Sequence, residues 1–240
     1  MRRGYSFRPR RSLRYGTLAA AALACVAFIA LGNWQSRRAD AKRALARELE
    51  QAAHAAPIEL PAAPVDAAPL IHRRVAASGV FVPEHTVLLA NRMRHSRAGY
   101  EVVTPLKLGG SSWHVLVDRG WISAPASAGA APQVRTPSGA QRIDGIALER
   151  LPRALETGVS PPGNVRQNLD IGAYATETGL ALQPLVLEQH SDSGDGLARD
   201  WPRADLGIEK NESYALQWYS FAVLAIVLGV VLCFRRASGA

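Results

Sequence analysis

The chain has 240 residues, a formal net charge of +8 and a pI near 10.1, so a nucleic acid or a membrane surface must be considered as its partner. Six arginines fall within the first fourteen residues and five more basic residues between Arg37 and Arg47, and the two groups flank an apolar segment. This placement favours a membrane over nucleic acid, and the two cysteines, Cys25 and Cys233, lie in apolar runs, which excludes a disulfide framework or a CxxC site.

The first predicted element is a transmembrane helix over residues 17–34, after a basic cytoplasmic tail, residues 1–16. The run from Thr17 to Trp34 has no charged residue, and as a helix it would span about 27 Å, close to the thickness of a bilayer core. A cleaved signal peptide or an organelle transit peptide would also begin with arginines. No obvious Ala-x-Ala cleavage site follows the run.

The next residues, 35–56, are rich in Ala, Leu, Arg, Lys and Glu and predict a helical extension beyond the membrane. Trp34, Arg38 and Lys42 recur every four residues and therefore line one face of it. We expect this face to dock on the following domain or on a partner, although basic side chains that reach lipid head groups would give the same pattern. Repeated proline and alanine over residues 57–70 predict a linker.

Residues 71–207 predict a mainly β domain outside the cytoplasm. It contains six strand-like runs separated by turn signals: RRVAASGVFV, HTVLLANR, YEVVTPLKL, WHVLVDRGWI, RIDGIALER and LQPLVLEQ. Gly109-Gly110 predicts a hairpin turn between two of them. Asp170 and Gly179 are a suitable N-cap and C-terminal glycine for a short helix. The segment SDSGDGLARD, residues 191–200, is interpreted as a flexible acidic loop.

One strand-like run, HVLVDRGWI, carries two charges in its apolar alternation. Successive strand residues point to opposite faces, so Asp118 and Arg119 cannot pair on one face. The alternation places Arg119 on the face of Val115, Val117 and Trp121. There its guanidinium would stack on a tryptophan or clamp a carboxylate or carbonyl, which favours a structural role for Arg119 and Trp121 over a catalytic one.

The last element is a second predicted transmembrane helix, residues 208–234 with its approach, followed by a short tail, residues 235–240. Its charge-free run from Tyr214 to Phe234 begins with aromatic residues and is followed by Arg235 and Arg236. Arginines on the outer flank of both runs favour two cytoplasmic tails. The predicted fold class is an α+β membrane protein in which two transmembrane helices flank a mainly antiparallel β domain with short helices.

No motif of a known catalytic or metal site is present: there is no phosphate-binding glycine loop, HExxH, GxSxG or paired-cysteine spacing. The six histidines are scattered and none pairs at a ligand spacing. The sequence therefore predicts no catalytic or metal-binding residues, which weakens an enzymatic role but leaves open an enzyme whose site is spread over loops.

Four blocks, in order along nearly the whole chain, resemble the surfeit-locus-protein-one family of cytochrome c oxidase assembly factors. They are LGNWQSRRADAKRAL, GVFVPEHTVLLANRMRHSRAGYEVVTPLKL, VLVDRGWI, with Asp118 where the family more often has asparagine, and WPRADLGIEKNESYALQWYSFA. The resemblance implies a non-enzymatic assembly factor for heme-copper oxidase that assists heme a delivery or insertion. It also implies cytochrome c oxidase subunit I or its assembly intermediate as partner, besides membrane lipid and without nucleic acid. The expected location is the inner membrane of a bacterium, with the central domain in the periplasm.

The resemblance also points to heme a near the second transmembrane helix. The family often has a histidine, a natural iron ligand, where this chain has Asn211, and asparagine is not a usual axial ligand. Asn211 could instead be the N-cap of a helix that begins near Glu212. We expect Tyr214 and Trp218, four residues apart on one face, to contact heme a weakly, although an interfacial aromatic belt would look the same. A membrane-anchored envelope domain that binds another partner without heme is the alternative function.

Overall fold

A computed structural model of the chain describes residues 11–125, 130–154, 163–202 and 206–235. The chain divides into two compact units. The helical unit is made from the two ends of the chain, up to Glu48 and from Ala204 onward, and the β unit comprises Leu49–Arg203. The predicted basic tails, residues 1–16 and 235–240, lie largely outside the described residues.

Two long helices dominate the helical unit. Helix α1 spans Arg11–His54 and helix α3, counted in chain order, spans Ile208–Arg235. By length and composition both are apolar enough to cross a membrane, and few of their apolar side chains are buried within the protein. Helix α1 continues without interruption from the charge-free run through the segment predicted as its extension.

Small residues bring α1 and α3 into close contact. A Cβ atom added at Gly32 would lie 2.5 Å from the ring of Tyr219, so this glycine makes room for the tyrosine. Ala39 and Ala215 are both buried. Close approach through small side chains is the usual way in which apolar helices pack without a water-driven force. The two helices therefore form a packed pair.

The β unit contains one mixed eight-stranded sheet, in the order β1-β2-β6-β8-β5-β4-β3-β7. Its strands are β1 Ile58–Glu59, β2 Arg74–Phe81, β3 Val87–Arg94, β4 Arg97–Leu108, β5 Trp113–Ser123, β6 Ala140–Leu148, β7 Val165–Arg166 and β8 Ala181–Gln189. All six predicted strands are present, as β2, β3, β4, β5, β6 and β8. Strand β2 also pairs with β4, so β2, β6, β8, β5 and β4 close into a ring.

Five of the eight described strand pairings are antiparallel, but β8 runs parallel to β5, so the sheet is mixed. Helix α2, Ile171–Thr178, lies just before β8 and returns the chain so that β8 is inserted between β5 and β6. The short strands β1 and β7 also pair in parallel, with β2 and β3. The ends of α2 are as predicted: the Asp170 carboxylate accepts a hydrogen bond from the Ala173 N–H at 3.0 Å, and Gly179 has a φ of 71°.

The ring has an apolar interior and a second apolar layer outside it. Val75, Phe81, Leu106, Val117 and Leu187 represent the interior cluster, and all are buried. The outer cluster forms where Tyr174 of α2 packs on residues of β3, β4, β5 and β8. Alternating side chains of the central strands are thus buried on both faces, which is why β5 reads as a nearly continuous apolar run.

The segment predicted as a proline- and alanine-rich linker, residues 57–70, has more structure than its composition indicates. It contributes β1, and Leu60 and Leu70 are buried in the interior cluster. Its backbone is also held to the sheet, since the Gln183 side chain donates to the Ala63 carbonyl at 2.7 Å and accepts from the Val65 N–H at 3.2 Å. Proline spacing excluded a helix correctly but did not reveal these anchoring contacts.

Candidate functional site

Strand β5 contains a β-bulge at Arg119-Gly120. Val103 of β4 is paired with Asp118, but Glu101, two residues earlier on β4, is paired with Trp121, so β5 has one extra residue here. Gly120 adopts a φ of 138°, and a Cβ atom on it would lie 2.7 Å from the Ala198 carbonyl oxygen. A glycine is therefore required at the bulge by backbone conformation and by space.

The bulge corrects the predicted faces of β5. Glu101 and Val103 share a face of β4, so their partners Trp121 and Asp118 share a face as well. Arg119 stays on the face of Val115 and Val117, as predicted, but Trp121 does not. A strict two-residue alternation cannot anticipate an inserted residue.

Arg119 is completely buried and acts as a structural clamp. Its guanidinium donates hydrogen bonds to the Asp195 carboxylate at 2.8 Å, the Arg135 carbonyl at 2.7 Å and the Thr136 hydroxyl at 2.9 Å. It lies over the ring of Phe81 at 5.0 Å, rather than over a tryptophan. Through these hydrogen bonds, the guanidinium holds the segment of Arg135 and Thr136 and the segment of Asp195 against the end of the ring.

Asp195 joins this clamp to a second arginine. Arg199 donates to both carboxylate oxygens of Asp195, at 2.7 and 2.8 Å. Burial alone raises the pKa of Asp195, but the hydrogen bonds from Arg199 and Arg119 outweigh burial and bring the pKa below its usual value. Residues 191–200 were predicted to be a flexible acidic loop. Instead, Asp195 is fully buried and anchors the segment.

On the opposite face of β5 lies a second polar group, the Trp121 cluster, composed of Arg92, Gly99, Glu101 and Trp121. The Trp121 indole N–H donates to the Arg92 carbonyl at 2.8 Å, and Arg92 Nε lies 2.9 Å from the Glu101 carboxylate. A Cβ atom on Gly99 would lie 2.4 Å from the Trp121 ring, so only glycine leaves room for it. Nearby, Arg94 stacks on Trp201 at 4.8 Å.

Asp118, on the same face of β5 as Trp121, is buried and has a raised pKa. Burial raises the pKa of Asp118 well above its usual value, and the carboxylates of Glu101 and Glu188 raise it further. One carboxyl oxygen, Oδ1, has no hydrogen-bond partner among the described residues. Asp118 is therefore protonated at a pH where an exposed aspartate is ionised.

At the base of the helix pair, the predicted face of Trp34, Arg38 and Lys42 makes two kinds of contact. The guanidinium of Arg38 lies 5.7 Å from the centre of the half-exposed Trp34 ring. Lys42 Nζ donates to the Asn211 side-chain oxygen at 2.6 Å and to the Gly207 carbonyl at 3.4 Å. Lys42 is thus held by α3 and the residue before it, whereas Arg38 packs along its own helix.

Asn211 is not the N-cap residue that the sequence allowed. Helix α3 begins at Ile208, so Asn211 lies within its first turn. Its buried amide accepts from Lys42 and donates to the Gln35 side chain at 2.6 Å. The Asn211 side chain therefore links α3 to α1.

The two predicted heme contacts have different surroundings. The ring of Trp218 stacks on Phe28 of α1 at 5.8 Å and meets Phe221 edge-on at 5.9 Å, so part of its surface is already covered. Tyr214 is 52% exposed. On another side of the helix pair, the Tyr219 hydroxyl donates to the Asn33 side chain at 2.8 Å, and a cavity of about 260 Å³ lies beside Ser36, Arg43, Glu212 and Leu216.

Comparison with known proteins supports a relationship that spans both units. A sequence model of the SURF1 family matches residues 22–223, from inside α1 to inside α3. The chain belongs to the SURF1 family. It is 28% identical to a SURF1-like protein of Monosiga brevicollis over 231 residues, which cover 89% of this chain and 85% of that protein. It is also 28% identical to Surfeit locus protein 1 of Mus musculus over 224 residues, 86% of this chain and 72% of the mouse protein.

A third relative matches a shorter part of the chain. An uncharacterized SURF1-like protein of Mycobacterium tuberculosis is 29% identical over 156 residues, 64% of this chain and 56% of that protein. Two family blocks within the β unit meet in space: Arg92 and Gly99 come from the second block, and both contact Trp121 of the third block. In this SURF1 protein, Arg92 and Gly99 thus have a structural role, because one accepts the hydrogen bond of Trp121 and the other leaves room for its ring.

The charge-free runs of the described helix pair contain no histidine or methionine: His54 is the last residue of α1, and Cys25 is the described thiol within it. Asn211 is engaged by Lys42 and Gln35. The β unit contains His85, His95, His114 and His190. There His95 contacts Asp200 at 2.6 Å, His190 contacts Glu188 at 3.0 Å, and burial lowers the pKa of His114.

Proposed function

We propose that this chain is a non-enzymatic assembly factor for heme-copper cytochrome c oxidase that assists heme a delivery or insertion. Subunit I, or an assembly intermediate that contains it, would be its protein partner. The observation that carries the proposal is the SURF1 family match over residues 22–223, because it reaches into both apolar helices and includes the whole β unit. The order of the four family-like blocks along the chain supports the same assignment.

We propose that α1 and α3 both cross the inner membrane of a bacterium, with both tails in the cytoplasm and the β unit in the periplasm. Length, composition and outward-facing apolar side chains support the spans, and arginine on the outer flank of each supports the orientation. Alkaline phosphatase, which is active only outside the cytoplasm, tests this when fused after residue 130 and after residue 240. Activity of the second fusion with silence of the first would contradict the orientation.

The absence of enzymatic activity is part of the proposal. Two pairs of buried charged groups in the described β unit are occupied with one another: Arg119 with Asp195, and Arg92 with Glu101. No described group of three or more His, Cys, Asp or Glu residues is arranged to hold a metal ion. These contacts support a domain whose charged side chains maintain its shape and present a surface to a partner.

In this proposal, the chain binds heme a weakly and transfers it to the oxidase. Tyr214 provides an open aromatic surface at the start of the apolar run of α3, and Trp218 provides a partly covered one. Without an imidazole at residue 211, the chain would hold the macrocycle by its face and edge. Asn211→His should therefore tighten heme binding and shift the Soret band. A wild-type bis-histidine spectrum would contradict this weak mode of holding heme.

Deletion of the gene tests the assignment to oxidase assembly. We expect oxidase activity to fall while the amount of oxidase subunits stays normal, and a copy of the wild-type gene to restore activity. Unchanged oxidase activity in the deletion strain would instead favour an envelope protein that serves another partner.

A further inference from the structure

The helix pair carries two basic side chains side by side at the same level of α1, and they are compensated differently. Arg43 forms ion pairs with Asp40, at 2.6 Å, and with Glu212. Lys42 contacts only neutral oxygens, those of the Asn211 amide and the Gly207 carbonyl, and none of the described carboxylates lies within 4.0 Å of its ammonium group. Among the described residues, one positive charge is thus neutralised and the other is held in place without a counter-charge.

Lys42 is also fixed in position, unlike an ordinary surface lysine. Its side chain is half-buried, and its hydrogen bond to Asn211 measures 2.6 Å. Asn211 is in turn restrained by its donation to Gln35 at 2.6 Å. Such a lysine has already lost much of its rotamer freedom, so binding an anion there would cost less entropy than at a free side chain.

An aromatic surface extends from this cation toward the apolar part of α3. Tyr214 and Trp218 are three and seven residues after Asn211, so they share its side of the helix and lie about 5 and 10 Å further along it. The Tyr214 side chain, at the end of this surface nearer to Asn211, is exposed. The ammonium group of Lys42 therefore lies at one end of a row of two aromatic side chains that extends about 10 Å along α3.

We infer that Lys42, positioned by Asn211, binds the oxyanion of a membrane-embedded amphiphile whose apolar body lies on Tyr214 and Trp218. The oxyanion is a carboxylate, as on a porphyrin propionate, or the phosphate of an anionic lipid. The choice of a porphyrin carboxylate as one ligand rests on the proposed function. The charge and geometry of the site do not depend on it. It requires no ligand to the iron, because the contact is made to the periphery of the molecule.

Iron-free protoporphyrin, which has two propionates, and its dimethyl ester, which has none, are the probes. Full-length protein in a neutral detergent is titrated with each, and binding is followed by porphyrin fluorescence. Lys42→Met, which removes the charge at similar length, should weaken diacid binding by about tenfold or more, the usual effect of losing a charge-assisted hydrogen bond. Lys42→Arg should retain binding. Lys210→Met removes an exposed lysine from the same end of α3 and should leave binding unchanged.

The ester should bind wild type and Lys42→Met equally, and both more weakly than wild type binds the diacid. Equal diacid binding by wild type and Lys42→Met, or equal binding of ester and diacid by wild type, would overturn the inference. Phosphatidylglycerol added to the detergent separates the two sources. If phosphatidylglycerol competes with the diacid in wild type but not in Lys42→Met, the site also binds lipid phosphate. If phosphatidylglycerol does not compete in wild type, the site binds the carboxylate alone. Equal competition in both proteins would place the lipid elsewhere and count against Lys42 as the anion site.

Failure of this inference is distinguishable from failure of the proposed function. If the gene deletion abolishes oxidase activity but porphyrin binding is independent of Lys42, the assembly role stands and the oxyanion site falls. If porphyrin binding depends on Lys42 but the deletion strain has normal oxidase activity, the site stands and its biological cargo is a lipid or another anionic amphiphile.

Discussion

Replacing Asp118 by asparagine should remove a pH-dependent loss of stability from the β unit. Asp118 is buried, and its pKa is raised first by burial and then by the carboxylates of Glu101 and Glu188. Arg94 and the Gly120 N–H act in the opposite direction but do not cancel the shift. Asparagine has nearly the same shape as a protonated aspartate and cannot ionise, so the substitution keeps the packing and removes the titration.

The sign of the effect follows from the direction of the pKa shift. The folded protein holds the Asp118 proton at pH values where the unfolded chain has released it, so stability is greatest below the unfolded pKa, about 3.9. It falls as pH rises toward the folded pKa, by about 1.4 kcal/mol for each pH unit between the two values. Across two pH units in that window, Asp118→Asn should therefore gain about 2.7 kcal/mol relative to wild type.

Urea unfolding of the full-length protein in a mild detergent measures this difference. Tryptophan fluorescence reports on the β unit through Trp113, Trp121 and Trp201, and unfolding is compared at several pH values from 5 to 9. Glu149→Gln, at an exposed position at the end of β6, is the matched control and should follow the wild-type pH profile. A difference between Asp118→Asn and wild type that does not change with pH would refute a raised pKa for Asp118.

Three further substitutions test other contacts. Arg119→Ala should destabilise the β unit by about 3 to 5 kcal/mol, because it breaks a buried pair with Asp195 and leaves buried acceptors unpaired. A folded variant of normal stability that lacks function would instead make Arg119 a functional contact. Gly120→Ala should destabilise it as well, through the φ of 138° and the clash with the Ala198 carbonyl, and unchanged urea unfolding would contradict this. Arg38→Glu should lower oxidase assembly with normal membrane insertion, whereas unchanged assembly would indicate that Arg38 only contacts lipid head groups.

Matched controls accompany the first of these substitutions. Arg142→Ala removes an exposed arginine whose ion pair with Glu59 lies on the surface, and it should leave stability unchanged. Arg199→Ala should destabilise less than Arg119→Ala, since Asp195 then keeps the Arg119 pair and the Arg135 carbonyl keeps its donor.

Local patterns predicted much of the β unit because they report local physics. Alternating apolar residues located six of its strands, and the Asp170 and Gly179 caps located α2. The parallel pairing of β8 with β5 could not be predicted in this way, since strand order depends on how a crossover returns the chain. The same applies to Leu60 and Leu70, whose burial depends on a sheet that their own proline-rich segment does not reveal.

The charged contacts show where prediction from sequence stops. The sequence indicated that Arg119 would clamp a carboxylate or carbonyl, because a buried arginine needs such partners. It did not identify Asp195, which lies 76 residues away in a segment whose composition is typical of a flexible loop. Likewise, Trp121 was assigned to the wrong face because an inserted bulge residue leaves no signature except a glycine.

The amount of heme a per oxidase subunit I in membranes tests the central claim most directly. Membranes of a deletion strain and of the same strain with the wild-type gene restored are compared by their reduced-minus-oxidised heme a spectra and by immunoblotting of subunit I. We expect the deletion strain to contain subunit I with a much lower ratio of heme a, and the restored gene to return the ratio to normal. An unchanged ratio of heme a to subunit I in the deletion strain would contradict a role in heme a delivery or insertion.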